Sequence, residues 1–202
     1  MKNTKDFYNK TAQEWADKFY NDDAMMPLLE AYISKLPENA KVLDLCCGPG
    51  YESMRMRNLG AQVIGLDFSE SCIQLARKRN PNMAFHVGDM LEDYSHIGKV
   101  DGIAVIAGLV HLPNEKLEIA FKEMSKVLEN KGLILMVVRD GIGKSDKSSY
   151  VKIDDESYDR DFYAHTLEEL IRYSAGIFKY VEEVVYEDES IWKNYIFMKP
   201  EE

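Results

Sequence analysis

The chain has 202 residues, 46% hydrophobic and 30% charged, with a formal net charge of -10. That length suits one substantial α/β core rather than two. The acidity argues against nucleic acid as a partner, because phosphate backbones are bound by Lys and Arg; a small neutral or cationic molecule is the better expectation. No apolar run approaches the roughly 18–20 residues of a membrane helix. The start, Met1-Lys2-Asn3-Thr4-Lys5-Asp6, does not lead into a signal-peptide core, so no membrane association and a cytoplasmic location are expected. Three cysteines, two of them adjacent at Cys46 and Cys47, offer no disulfide framework, and no Cys-x-x-Cys or His-x-x-x-His spacing suggests a metal.

Tyr8, Ala12, Trp15 and Phe19 recur at helical spacing near the start. A second helical stretch, Ala24 to Leu36, stops at Pro37. An alternating pattern follows. Strand Val42–Cys46 precedes a helix near Tyr51–Leu59, then strand Gln62–Leu66, a helix capped by Ser69 and ending near Arg79, and strand Met83–Val87. Val100–Ala107 is apolar enough for a central parallel strand. Asn114 is the expected cap of the next helix, Lys131-Gly132 its end, and Leu133–Val138 another buried strand. Arg139 to Ala164 shows little periodicity and reads as a long irregular connection, functional or mobile. A capping box at Thr166–Glu169 opens a helix closing near Gly176. Phe178–Tyr186 and Ile191–Met198 follow with no room for a helix between them and are expected to pair antiparallel. The expectation is a doubly wound, Rossmann-like α/β sheet of seven strands, mostly parallel, with a C-terminal antiparallel hairpin. It forms one domain over 1–202, with residues 1–38 as two N-terminal lid helices and 39–202 as the core.

The chemistry concentrates in Val42-Leu43-Asp44-Leu45-Cys46-Cys47-Gly48-Pro49-Gly50. Gly48 and Gly50 let the backbone turn tightly and approach a ligand, and the helix behind them presents free N–H groups to it. The next strand ends in Asp67, placed to accept from ribose hydroxyls. A nicotinamide dinucleotide is the competing ligand. However, Gly48-Pro49-Gly50-Tyr51-Glu52-Ser53 lacks the third glycine of Gly-x-Gly-x-x-Gly, and Asp44 would repel a pyrophosphate. An acid there suits a ligand that carries positive charge.

With these features the chain resembles the class I S-adenosylmethionine-dependent methyltransferases, in particular their small-molecule members. Asp44-Leu45-Cys46-Cys47-Gly48-Pro49-Gly50 is similar to the family's first motif, with Cys46 where glycine is common; Leu66-Asp67-Phe68-Ser69 resembles the second and Gly88-Asp89-Met90 the third. Tyr8-x-x-x-Ala12-x-x-Trp15 resembles the lid helix, and Val100-Asp101-Gly102 with His111-Leu112-Pro113 the fourth-strand region. The resemblance implies S-adenosyl-L-methionine as cofactor, with Tyr8, Asp44, Cys46, Gly48, Gly50, Asp67, Phe68, Asp89, Met90 and Ala107 around it. Asp67 would take the ribose, Asp89 and the Met90 N–H the adenine; Phe68 either covers the adenine or packs under the next helix. His111 is either a general base or a loop-packing residue. Arg160 either holds a substrate carboxylate or pairs with the nearby aspartates, and Phe162 or Tyr163 would line an apolar acceptor pocket. Methyl transfer to a small molecule is the function implied. A non-catalytic cofactor-binding module, an RNA-directed methyltransferase and an NAD-dependent oxidoreductase are the alternatives.

Overall fold

The computed structural model describes residues 1–145, 149–185 and 191–201. Seven strands form the main sheet: β1 (Lys41–Leu45), β2 (Gln62–Asp67), β3 (Ala84–Val87), β4 (Val100–Ile106), β5 (Leu128–Arg139), β10 (Lys179–Glu183) and β11 (Trp192–Met198). Their order is β3-β2-β1-β4-β5-β11-β10, and β11 alone runs against its neighbours. The expected closing hairpin is present; the Tyr186 end of its first strand lies outside the described residues.

Strand alternation assigns successive side chains to opposite layers. Val42 faces the layer of α2 (Met26–Ile33) and α3 (Tyr51–Asn58). Leu43 and Leu45 face α5 (Asn114–Val127) and α6 (Leu167–Tyr173), through Leu117, Phe121 and Leu170. The remaining helix, α4 (Glu70–Arg79), packs Ile73 and Ala76 on Phe85 of β3. In α2, Leu28, Leu29 and Tyr32 are fully buried, and the Tyr32 hydroxyl donates to the carbonyls of Ile103 and Leu133 at 3.0 Å each. This helix is therefore a core layer. Of the two N-terminal helices, α1 (Thr4–Phe19) is the one that reaches the C-terminal ends of the strands, through Tyr8 and Asn9. Strand order reverses between β1 and β4, which leaves a crevice above their C-terminal ends.

Three expectations are corrected. The cap position before α5 is Pro113, because the Asn114 amide is spent on Glu169 and the His165 ring. The same helix ends at Val127, with Lys131 in the left-handed region (φ 63°) inside β5. In the connection from Arg139 to Ala164 the described residues include two antiparallel pairs, β6 (Gly143–Lys144) with β9 (Tyr163–Ala164) and β7 (Tyr150–Ile153) with β8 (Glu156–Asp159). Asp154 and Asp155, both at positive φ (47° and 64°), make the two-residue turn of the second pair. A turn of that kind matches strand twist and tolerates Asp, which is the local signal that was missed. Lys2 exchanges backbone hydrogen bonds with Ser157 and Asp159, so this hairpin grips the start of α1. Among the described residues no helix is long and apolar enough to cross a membrane.

Candidate active site

Three backbone positions of the turn after β1 lie at positive φ: Cys46 (64°), Gly48 (51°) and Gly50 (81°). Cysteine pays at that position a cost glycine avoids, on the order of 1–2 kcal/mol. The turn is held from two sides. Asp44, 2% exposed, accepts from the Ser53 hydroxyl on α3. Asp67 accepts the N–H of Gly48 at 2.9 Å on one oxygen and that of Ser69 at 2.8 Å on the other. Burial pushes Asp44 up to about 7 and Asp67 up to about 6. Two carboxylates are thus buried together in a place that favours positive charge.

Beyond β3, Asp89 accepts from the Leu91 N–H at 2.9 Å and Met90 is buried. Phe68 stands 6.4 Å from the Tyr8 ring and is half-buried. Ala107, also at positive φ (55°), donates its N–H to Val137 as β4 ends. Tyr8 on α1 packs its ring against Phe68 and against His111.

His111 lies in the short turn after β4. Its Nδ1 faces the carbonyls of Asp161 (2.8 Å) and Arg160 (3.2 Å), which only accept, so Nδ1 carries the proton. Its Nε2 therefore accepts from the Tyr8 hydroxyl at 2.9 Å. Burial lowers the imidazole to about 4 despite those carbonyls, which keeps the ring neutral at pH 7. Both nitrogens are engaged in holding α1 to the segment after β8. Arg160 lies between the rings of Phe7 (5.0 Å) and Phe162 (4.9 Å), and Phe162 is 5.8 Å from His111. Tyr163 stands apart from these rings, its hydroxyl 3.5 Å from Asp161. Arg160 and Phe162 thus pack beside Phe7 and His111, while Tyr163 pairs with Lys144 across β6 and β9.

Sequence reasoning missed Trp192, Arg139 and Arg55. Trp192 is 6.2 Å from Phe162, and the Arg139 guanidinium is 5.9 Å from the same ring. Arg55, paired with Glu52 and buried, donates to the carbonyls of Phe19 and Tyr20 and so fixes the far end of α1 to the helix behind the glycine turn. Only Trp192 and Arg139 carried a usable signal, standing at the ends of strands that border the crevice. Two cavities, of about 350 Å³ beside Lys41 and Gln62 and about 240 Å³ beside Asp101 and Gly132, open at the opposite, N-terminal ends of the strands and belong to no part of this site.

Residues 42–132, which span β1 to the start of β5, match the model of the methyltransferase domain. Over this segment the chain is similar to methyltransferase domains. The chain is 29% identical over 110 residues to a putative methyltransferase of Bacillus subtilis, covering 52% of this chain and 44% of that one. It is 29% identical over 160 residues to the ubiquinone biosynthesis O-methyltransferase of Pelagibacter ubique, covering 68% and 65%. The chain spans about half the length of the first curated relatives it matches. Among solved structures, the DhpI–SAH complex shares the fold with a TM-score of 0.76 at 21% identity, over 98% of this chain and 95% of that one. The matched segment contains the glycine turn, Asp67, Asp89 and His111. It leaves out α1 and the 139–165 segment, so Tyr8, Arg160 and Phe162 come from parts of the chain outside the family model.

Proposed function

We propose that this chain binds S-adenosyl-L-methionine and transfers its methyl group to a small-molecule acceptor. The observation that carries the reading is the pair of buried acids, Asp44 and Asp67, set against a turn of left-handed residues at the point where strand order reverses. Such a site welcomes an amino-acid-bearing nucleoside with positive charge and repels a diphosphate. Asp67 would hold the ribose hydroxyls, the backbone at Gly48 and Gly50 the amino-acid portion, and Asp89 with the Met90 N–H the adenine. Phe68 would cover the adenine, while Cys46, Ala107 and Tyr8 would close around the sulfur. The bound cofactor supplies a methyl group activated by sulfonium. The chain supplies alignment and excludes water, with Arg160 and Phe162 on the acceptor side.

His111 in this reading positions Tyr8 rather than taking a proton. His111→Ala and Tyr8→Phe remove the same hydrogen bond and are expected to lower kcat by similar factors, about tenfold for a bond of ~1 kcal/mol plus lost alignment. A much larger loss in His111→Ala alone, with an acid limb in the wild-type pH profile, would return His111 to the role of base.

The buried acids also predict a proton linkage. Their folded pKa values, about 6 and about 7, lie above the ordinary 3.8. Their contribution to stability is therefore full below about pH 4 and is lost as pH rises through 6 to 7. A cationic ligand favours the ionised carboxylates, so binding near pH 6.5 should release protons. Calorimetry in buffers of different ionisation heat measures this; no buffer dependence would contradict it. Labelled-methyl transfer against a fractionated metabolite extract, with and without added RNA, tests the activity itself. Label in small molecules is the expected result, label confined to RNA favours the RNA-directed alternative, and cofactor binding without transfer favours a non-catalytic module.

A further inference from the structure

Two consecutive residues of α1 reach opposite sides of the glycine turn. The Tyr8 hydroxyl meets His111 beyond β4, and the Asn9 amide meets the start of α4 beyond β2; β1 and its turn lie between those two strands. The Asn9 amide is fixed at both ends. Its Oδ1 accepts from the Ser69 hydroxyl at 2.7 Å and from the Ser71 N–H at 3.2 Å, and its Nδ2 donates to Glu70 at 3.4 Å. A backbone N–H only donates, so the amide atom that faces the start of α4 is the oxygen.

Ser69 is the junction between α1 and the crevice. The residue is fully buried, and its hydroxyl is engaged twice: it accepts from the Cys72 N–H at 3.2 Å as the cap of α4 and donates to Asn9. Its backbone N–H donates to one oxygen of Asp67 at 2.8 Å, while the Gly48 N–H holds the other at 2.9 Å. Two backbone donors from different segments therefore set the plane of the Asp67 carboxylate and the directions of its remaining lone pairs. A continuous hydrogen-bonded path runs from Asn9 through Ser69 to Asp67. Removing the Asn9 oxygen strands the Ser69 hydroxyl proton, and a buried donor left unmade is costly. The start of α4 must then shift to regain a partner, and Asp67 shifts with it.

Resting on the cofactor-binding half of the reading above, we infer that Asn9 is a positioning residue for the nucleoside. Through Ser69 it sets the direction in which Asp67 presents its carboxylate to the ribose hydroxyls. Direction matters because a hydrogen bond weakens steeply as it leaves the donor axis. The other α1–α4 contacts lack this path. The ion pair of Lys5 with Glu70, at 2.7 Å, joins the same two helices between exposed side chains.

The test is calorimetric titration of the full chain with S-adenosylhomocysteine, with a melting curve of each ligand-free variant to show that it is folded at the titration temperature. Asn9→Ala should weaken binding about tenfold; alanine is the better helix former, so α1 keeps its propensity. Ser69→Ala should weaken it at least as much, and the double variant no further than Ser69→Ala alone, because both changes cut one path. Asn9→Asp keeps an acceptor at the positive end of α4 and should bind within threefold of wild type. Lys5→Ala should stay within twofold. If Ser69→Ala does not fold, the Asn9 and Lys5 variants decide alone. Affinity within threefold of wild type in Asn9→Ala, no recovery in Asn9→Asp, multiplied losses in the double variant, or an equal loss in Lys5→Ala each overturns the inference and leaves cofactor binding standing. Failure of the wild-type chain to bind S-adenosylhomocysteine overturns the underlying reading, and the inference with it.

Discussion

Asp67→Ala is expected to weaken S-adenosylhomocysteine binding by about 100-fold or more. Two ribose hydroxyls donating to one buried carboxylate contribute roughly 1.5–3 kcal/mol each, and a loss of ~3 kcal/mol is a factor of over 100 in Kd. The fold should survive. The substitution strands the N–H groups of Gly48 and Ser69, but it also removes a carboxylate whose burial is unfavourable enough to lift it to about 6. These effects oppose each other, so the thermal midpoint should move by only a few degrees. Calorimetric titration and a melting curve on the same sample measure both. Affinity within threefold of wild type would remove Asp67 from the site.

Gly50→Ala is expected to have the largest effect on stability among changes in the turn. Gly50 sits at φ 81°, and an added Cβ would lie 3.0 Å from the Ala76 side chain and from the Phe85 ring. The left-handed conformation costs about 1–2 kcal/mol for any residue with a Cβ, and overpacking a filled contact about 1–3 kcal/mol more. A loss of ~2–4 kcal/mol in urea denaturation is the expected outcome, accompanied by weaker cofactor binding, because α3 starts at this residue. Gly48→Ala meets no atom within 4 Å and should cost only the backbone part. Equal stability of the two variants would show that contact with Phe85 and Ala76 does not constrain the turn.

The contrast between these halves of the site explains what was legible in the sequence. The cofactor side is written locally. A backbone that must pass through left-handed conformations selects glycine, a strand end facing a crevice displays its acid, and strand–turn–helix spacing keeps them within about thirty residues from Asp44 to Ser69. The sheet was legible for the same reason, since alternation and capping are short-range signals. Even so, Asn114 was misassigned as a cap because its amide is claimed by Glu169 and His165, over fifty residues away. The cluster opposite is assembled from Phe7 and Tyr8 on α1, His111 after β4, Arg139 at the end of β5, Arg160 and Phe162 beyond β8, and Trp192 at the start of β11. No periodicity links such positions. Their meaning comes only from the fold that brings them together.

The central claim is that two buried acids beneath a left-handed turn select a cationic, amino-acid-bearing nucleoside. Paired calorimetric titrations of the purified chain with S-adenosylmethionine and with NAD test it most directly. The account predicts one-to-one binding of the sulfonium compound with proton release near pH 6.5 and no heat from the dinucleotide. Tight binding of NAD with none of S-adenosylmethionine would contradict it.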